Sequence, residues 1–295
     1  ITRIKQIMYR TPIFIIAVFF AAVVWQPVGA AVDGRINNTF SVEDSPLDIA
    51  VSVDGKWIFV LAEGGKVCVF SPDGELNDEI QVDPSMDRID VTGLAAAKLR
   101  NKIVLSSRKT GKVQEVLFDF VMEINTRGSP SRGPVGAPVV LALFTDFQCP
   151  YCSQMGMIIE KLLEKNPETI RVVIKNYPIS RHKFAEQAAR ASLAADRQGM
   201  FWEFHDRLFE NYRELSAEKI DEIAAELKLD MKSFKTDMQS RAVRQQVNMD
   251  MQDGRKAGVR GTPILFVNGI KVRDRSITGI QKLINEQLVK KQLGK

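Results

Sequence analysis

The chain has 295 residues, 45% of them hydrophobic, with 41 Lys and Arg against 36 Asp and Glu and a formal net charge of +5. Three cysteines are too few for a disulfide framework. No Lys/Arg cluster has the density of a nucleic-acid footprint, so nucleic acid is not an expected partner.

Arg3, Lys5 and Arg10 precede thirteen apolar residues, 13–25, followed by Gln26-Pro27-Val28-Gly29-Ala30. A basic start, a short apolar run and small residues at Val28 and Ala30 predict a signal peptide over 1–30, cleaved after Ala30. Met8 can open such a leader by itself. The run is shorter than the ~20 residues needed to span a bilayer; left uncleaved, it would tether the chain to a membrane. Without residues 1–30 the formal charge falls from +5 to +2. The expected location is periplasmic or otherwise exported, where disulfides persist.

Residues 31–127 are expected to form a small β-rich domain. Residues 47–53, Asp54-Gly55 and 57–61 read as a hairpin. Glu63-Gly64-Gly65 leads to a strand at 66–70, and Ser71-Pro72-Asp73-Gly74 turns the chain again. Residues 102–106, Thr110-Gly111 and 112–120 echo the pattern. The stretch DIAVSVDGKWIFVLAEGGKVCVFSPDG, residues 48–74, resembles one blade of NHL/WD-type propellers, but there is room for about two blades where closure needs four or more. The alternation suits exposed edges that pair with another copy or with a client. Cys68, between Val67 and Val69, reads as a buried free thiol, with an intermolecular disulfide as the alternative.

Residues 128–138, GSPSRGPVGAP, form a Gly/Pro/Ser linker to a mixed α/β half. There an apolar strand at 139–144 runs through a tight turn into Cys149-Pro150-Tyr151-Cys152. The helical spacing of Met155, Ile158, Ile159, Leu162 and Leu163 follows. Two cysteines at a helix N-terminus can close a small disulfide ring, and free N–H groups and the helix dipole there favour a thiolate. Pro150 suits the first helical turn. A zinc site would need further ligands, yet Cys68, His182 and His205 are scattered; an inert staple over so short a loop removes little entropy. A redox dithiol is the reading, with no metal and no cofactor. Beyond it lie a strand at 170–175 and helices at 182–197, 199–212, 217–227 and 231–252. A hairpin, 264–267 and 270–272 about Asn268-Gly269, and a final helix at 277–292 complete the chain. The expected fold is thioredoxin-like α/β over 139–295 with a helical insertion at about 182–257, preceded by the mainly-β domain.

Four segments carry a resemblance: GAPVVLALFTDFQCPYC at 136–152, IKNYPIS at 174–180, RQGMFWEFHDRLFEN at 197–211 and GVRGTPILFVNG at 258–269. Their order and spacing resemble the DsbA family of thioredoxin-like disulfide oxidoreductases. The resemblance implies that Thr262 is joined to Pro263 by a cis bond and that the Thr262 backbone pairs with an extended substrate. A rigid cis-Pro turn beside an open edge suits such pairing; without the dithiol, an ordinary trans Pro opening a strand would be the expectation. Cys149 is then the exposed nucleophile at the helix N-cap, Cys152 resolves, and Pro150 and Tyr151 shape the loop. Some relatives carry a buried carboxylate where this chain has Leu143. Asp146 reads as a solvated or turn-capping residue at least as readily as a catalytic one. His182, as a helix start, and His205, on a helix face, read as structural. Phe201, Trp202 and Phe209 read as insertion core.

The first expected function is an exported oxidase that donates the Cys149–Cys152 disulfide to unfolded or partly folded proteins with thiols, and is reset by a membrane redox partner. The alternatives are a homodimeric isomerase or reductase, and a redox-linked chaperone or adaptor that uses the β-domain.

Overall fold

The computed structural model describes residues 35–92 and 101–294; the expected leader over 1–30 lies outside them. Residues 41–295 group as one compact unit, and residues 35–40 have no regular secondary structure. No helix among the described residues is long and apolar enough to cross a membrane.

The β-rich part consists of two antiparallel sheets. Strands β1 (Pro46–Val51), β2 (Ile58–Ala62), β3 (Lys66–Phe70) and β4 (Leu76–Gln81) form the first in sequential order. Strands β5 (Arg88–Thr92), β6 (Asn101–Ser106) and β7 (Val113–Phe118) form the second. Phe59, Leu61 and Val67 from one sheet share a core with Ile89, Ile103 and Leu105 from the other. The expected hairpin turns through Gly55 at φ +69°, a left-handed conformation that glycine adopts freely. Strand β4, LNDEIQ, is mostly exposed and carries no apolar alternation, so nothing in its pattern announces it. Cys68 is buried and free; burial, then Glu79, pushes its thiol up.

The second half is built on a five-stranded sheet. Its elements are β8 (Ser131–Arg132), β9 (Val139–Thr145), α1 (Pro150–Lys165), β10 (Ile170–Asn176), α2 (Ala185–Asp196), α3 (Phe201–Glu210), α4 (Ala217–Glu226), α5 (Met231–Gln239), α6 (Arg241–Lys256), β11 (Ile264–Val267), β12 (Ile270–Lys271) and α7 (Ile277–Gln292). The strand order is β12-β11-β9-β10-β8. β9 and β10 pair in parallel through the α1 crossover, and β11 runs antiparallel to β9. Leu141, Leu143, Ile159 and Ile284 pack α1 and α7 on one sheet face. Ala142, Phe144 and Phe266 line the other with Ala257 and Val259. There Gly254 of α6 lies so close to the sheet that a Cβ would meet the Tyr177 ring at 2.6 Å. This is a mainly-β part followed by a thioredoxin-like α/β part with inserted helices.

Two details differ from the sequence reading. The helix expected over 231–252 is two, α5 and α6. Ser240 leaves the helical conformation (φ −64°, ψ 149°), and its hydroxyl accepts the Val243 N–H. The Gly/Pro/Ser segment is also more than a spacer. Ser131 and Arg132 pair with β10 as an edge strand, and the Pro130 carbonyl accepts from Ile174 N.

One buried charge pins these parts together. Lys175, on β10, is 1% exposed, and its Nζ lies 2.7 Å from Asp250 and 2.9 Å from Asp253, one turn apart on α6. It also donates to the Asn125 carbonyl at 2.7 Å. Burial raises the Asp250 carboxyl even with Lys175 against it. Lys175→Ala should cost about 3–5 kcal/mol, because it strands that carboxylate in the interior. Joint replacement by Lys175→Met and Asp250→Leu should recover most of the loss. Urea unfolding of both variants measures this; a single variant as stable as the parent would mean that the pair does not anchor α6.

Candidate active site

The β9–α1 turn places the dithiol. Cys149 is the N-cap of α1 with extended backbone (φ −88°, ψ 118°), and Pro150 opens the helix. The Cys149 carbonyl accepts from Cys152 N at 3.0 Å and Ser153 N at 3.3 Å. Thr262 lies opposite, ahead of β11. Its peptide bond to Pro263 is cis, as the resemblance implied, and its carbonyl lies 3.6 Å from Cys149 Sγ. The dithiol, Thr262 and Pro263 therefore meet at one end of the sheet.

The expected exposure of Cys149 is corrected: it is 3% exposed, against 0% for Cys152. The Thr262 loop lies over the sulfur, and Phe147, Ala188 and Phe209 belong to the same apolar cluster. Pro150 and Tyr151 form the open flank, with Tyr151 66% exposed.

The two thiols are strongly unequal. Cys149 is lowered from 9.0 to about 5, first by the Cys152 side chain and then by the Cys152 N–H, the Thr262 side chain and the Tyr151 N–H, against the opposing effect of burial. Cys152 is raised, first by burial and then by Cys149. Leu143, 1% exposed, leaves no carboxylate at that position, and the Thr145 and Thr262 side chains oppose the rise. A thiolate beside a buried thiol is the arrangement used in disulfide exchange, where one sulfur attacks or leaves and the other resolves.

Three supports escaped the sequence reading. Asp146 is neither solvated nor merely a turn cap. It is 1% exposed, accepts from Gln148 N and Ile179 N at 2.8 Å, and lies 2.9 Å from His182 Nδ1. His182 precedes α2 rather than starting it. Gln148 Oε1 accepts from Phe184 N, so two side chains of the active-site turn hold residues 179–184. Tyr177 Oη donates to the Val259 carbonyl at 2.9 Å, supporting the approach to Thr262. Lys175 could have been suspected, because a lone charge in the apolar strand IRVVIKN requires a partner. His205 and Phe209 are buried, and Phe209 packs among the inserted helices as expected. Phe201 and the half-buried Trp202 instead pack in the core between the sheet, α1 and α7, with Ile159 and Ile284, because the start of α3 reaches that core. Among the described residues, no group of His, Cys, Asp and Glu could hold a metal ion.

A family model described as Thioredoxin matches residues 125–286, more than half of the chain. The chain belongs to that family. With its dithiol in place, the thioredoxin-like half is a thiol–disulfide oxidoreductase domain. A relative named Na(+)/H(+) antiporter NhaA 3, from Salinispora tropica, is 33% identical over 156 residues, covering 52% of this chain and 24% of the relative. The chain thus spans about a quarter of the length of such curated relatives. The solved structure of BdbD from Bacillus subtilis, 22% identical, covers 58% of this chain and 98% of that one with a TM-score of 0.52, a likeness in fold. The thiol–disulfide exchange protein alpha-DsbA2 from Wolbachia pipientis is 22% identical, covering 54% and 87% with a TM-score of 0.49.

The unequal thiols give a pH test. Thiolate absorbance of the reduced protein should rise with a midpoint near 5, set by Cys149. Cys152→Ala removes the largest cause of the lowering, so the midpoint should move up. Because the folded value lies below the unfolded one, this group adds stability to the reduced protein as pH rises from about 5 toward 9. That contribution is lost as pH falls through about 5. A midpoint near 9 in the intact protein would refute the assignment of Cys149 as the low thiol.

Proposed function

We propose that this chain is an exported thiol–disulfide oxidase that donates the Cys149–Cys152 disulfide to unfolded or partly folded proteins with thiols. The observation that carries the reading is the geometry of the pair: Cys149 caps α1 with its Sγ 3.6 Å from the carbonyl of the cis Thr262-Pro263 unit, beside a fully buried Cys152, an arrangement that holds the Cys149 thiol well below its ordinary value. A low thiol is a good leaving group, so a disulfide containing it is readily given up. A substrate thiolate attacks Cys149 Sγ, the Cys149–Cys152 bond breaks, and its electron pair leaves on Cys152, which takes a proton. A second substrate thiolate then attacks the substrate sulfur of the mixed disulfide and releases Cys149 as a thiolate. The substrate loses two electrons and the dithiol gains them, so a thiol-oxidising partner, here a membrane redox protein, must reset the pair. Pro150 and Tyr151 border the attacked sulfur, and the backbone at Thr262 and Pro263 receives the extended client.

A row of apolar side chains on the β-rich half supports a second reading. Leu47, Ile49 and Val51 alternate along β1 and are 40%, 58% and 54% exposed, with Val53 beyond at 74%. Such a face suits client holding, as an adaptor would need, or self-association, as a dimeric isomerase would need. Residues 31–127 would then serve assembly or clients while 139–295 carry the chemistry. Solution mass separates a dimeric isomerase from a monomeric oxidase.

Glutathione titration should place the couple at about −210 to −120 mV, and a value near about −270 mV would make the protein a reductase. Cys149→Ser should abolish turnover. Thr262→Arg should slow oxidation of a dithiol peptide well beyond its effect on glutathione exchange; equal slowing of both would remove Thr262 from client pairing.

A further inference from the structure

A cleft of about 970 Å³ opens between the β-rich half and the rim of the thioredoxin-like sheet, and none of Cys149, Cys152 or Thr262 lines it. Small-molecule sites span about 300–1,000 Å³. Its β-rich side is aromatic. Trp57 stacks on Phe120 with ring centroids 4.4 Å apart, and Phe118 meets Phe120 edge-on at 5.4 Å.

The other side is cationic. Lys271 ends β12, Arg273 and Arg275 lie in the turn into α7, and Lys256 ends α6. Lys56, from the β1–β2 turn, adds a fifth cation, against two lining carboxylates, Asp54 and Asp274. Both carboxylates are engaged locally. Asp54 accepts from the Ser52 hydroxyl and Lys56 N, and Asp274 from Ser276 N. Arg273 reaches Asp119 at 3.3 Å, whereas Lys256, Lys271 and Arg275 form no ion pair with a described residue. Partial burial, then Arg275, Arg273 and Arg260, lowers the Lys271 ammonium. These cations crowd one another, and a bound negative charge would relieve them.

We infer that this cleft binds a small organic anion with an apolar body, its acidic group on Lys271 and Arg275 and its body against Trp57 and Phe120. An inorganic anion would leave the aromatic side unused. A neutral apolar molecule would displace water from the cations without pairing them, which is unfavourable. Arginine offers a forked donor set suited to a carboxylate or sulfonate.

The test uses the full chain and anilinonaphthalene sulfonate, an anionic aromatic probe whose fluorescence reports binding and which accepts energy from tryptophan. Binding should saturate at one site and weaken as salt is raised. N-phenylnaphthylamine, with the same rings and no sulfonate, should bind about tenfold more weakly. Arg275→Glu with Lys271→Glu should weaken the sulfonate by about tenfold or more. The milder Arg275→Gln should weaken it less, and Arg275→Lys should retain most affinity; thermal melting confirms that each is folded. Trp57→Phe should remove most energy transfer while leaving the affinity, read from the probe alone, nearly unchanged. Displacement by dodecanoate or by naphthoate supports the site and tells an acyl body from an aromatic one; displacement by neither overturns it. Equal binding of the neutral probe, or indifference to charge reversal or to Trp57→Phe, also overturns it.

Discussion

Strand β9 is the element on which the chemistry depends, because its two neighbours fix both halves of the site. In the parallel pairing with β10, Thr145 lies beside Asn176; in the antiparallel pairing with β11, Phe144 lies beside Ile264. Those registers bring the turn just past Thr145 and the loop just before Ile264 to the same end of the sheet. The 3.6 Å approach of Cys149 Sγ to the Thr262 carbonyl follows from strand pairing. A slip of either partner by one residue would reverse its side chains and separate the two loops.

The interior around that end is polar in places where a core is normally apolar. The buried Thr145 and Thr262 hydroxyls face the Cys152 thiol, and the Asn176 side chain is buried without a hydrogen-bond partner in the structure. Asp146 and the Lys175–Asp250 pair are buried with theirs. The Asp146 and Lys175–Asp250 groups hold residues 179–184 and α6 in place, while the two threonines lie at the resolving thiol. An interior of this kind gives the two cysteines opposite characters, because the Cys152 thiol and then backbone N–H groups stabilise a charge on Cys149 while Cys152 is held away from water.

What could be read from the sequence depended on how local its cause was. The Cys149–Cys152 helix start, the Asn268-Gly269 turn and the bounds of α7 rest on neighbouring residues, and the structure places them where pattern and turn chemistry put them. Asn268 and Gly269 both have positive φ, as that hairpin turn requires. Strand β4 was illegible because its exposed, charged residues carry no period, and it forms only because β3 offers it a ladder. The break at Ser240 was masked by continuous helical spacing on either side. Cys149 was expected to be exposed because its own segment gives no hint of the Thr262 loop, more than a hundred residues downstream, that covers it. The partnerships of Asp146 with His182 and of Lys175 with Asp250 are likewise long-range, and only the oddity of a lysine in an apolar strand could have pointed toward one.

Both rims of the five-stranded sheet end in strands only two residues long, β8 on one side and β12 on the other. The β12 rim is closed further, since Val121 bridges Ile270 and Met122 N donates to the Gly269 carbonyl. A seven-residue strand such as β10, left bare, would present a row of unpaired amides and carbonyls to any other chain. Residues 121–132 therefore act as hems for the sheet, folding its selvages under before another molecule can stitch to them. Along either rim, the thioredoxin-like sheet thus offers an extended segment of another molecule little backbone to pair with.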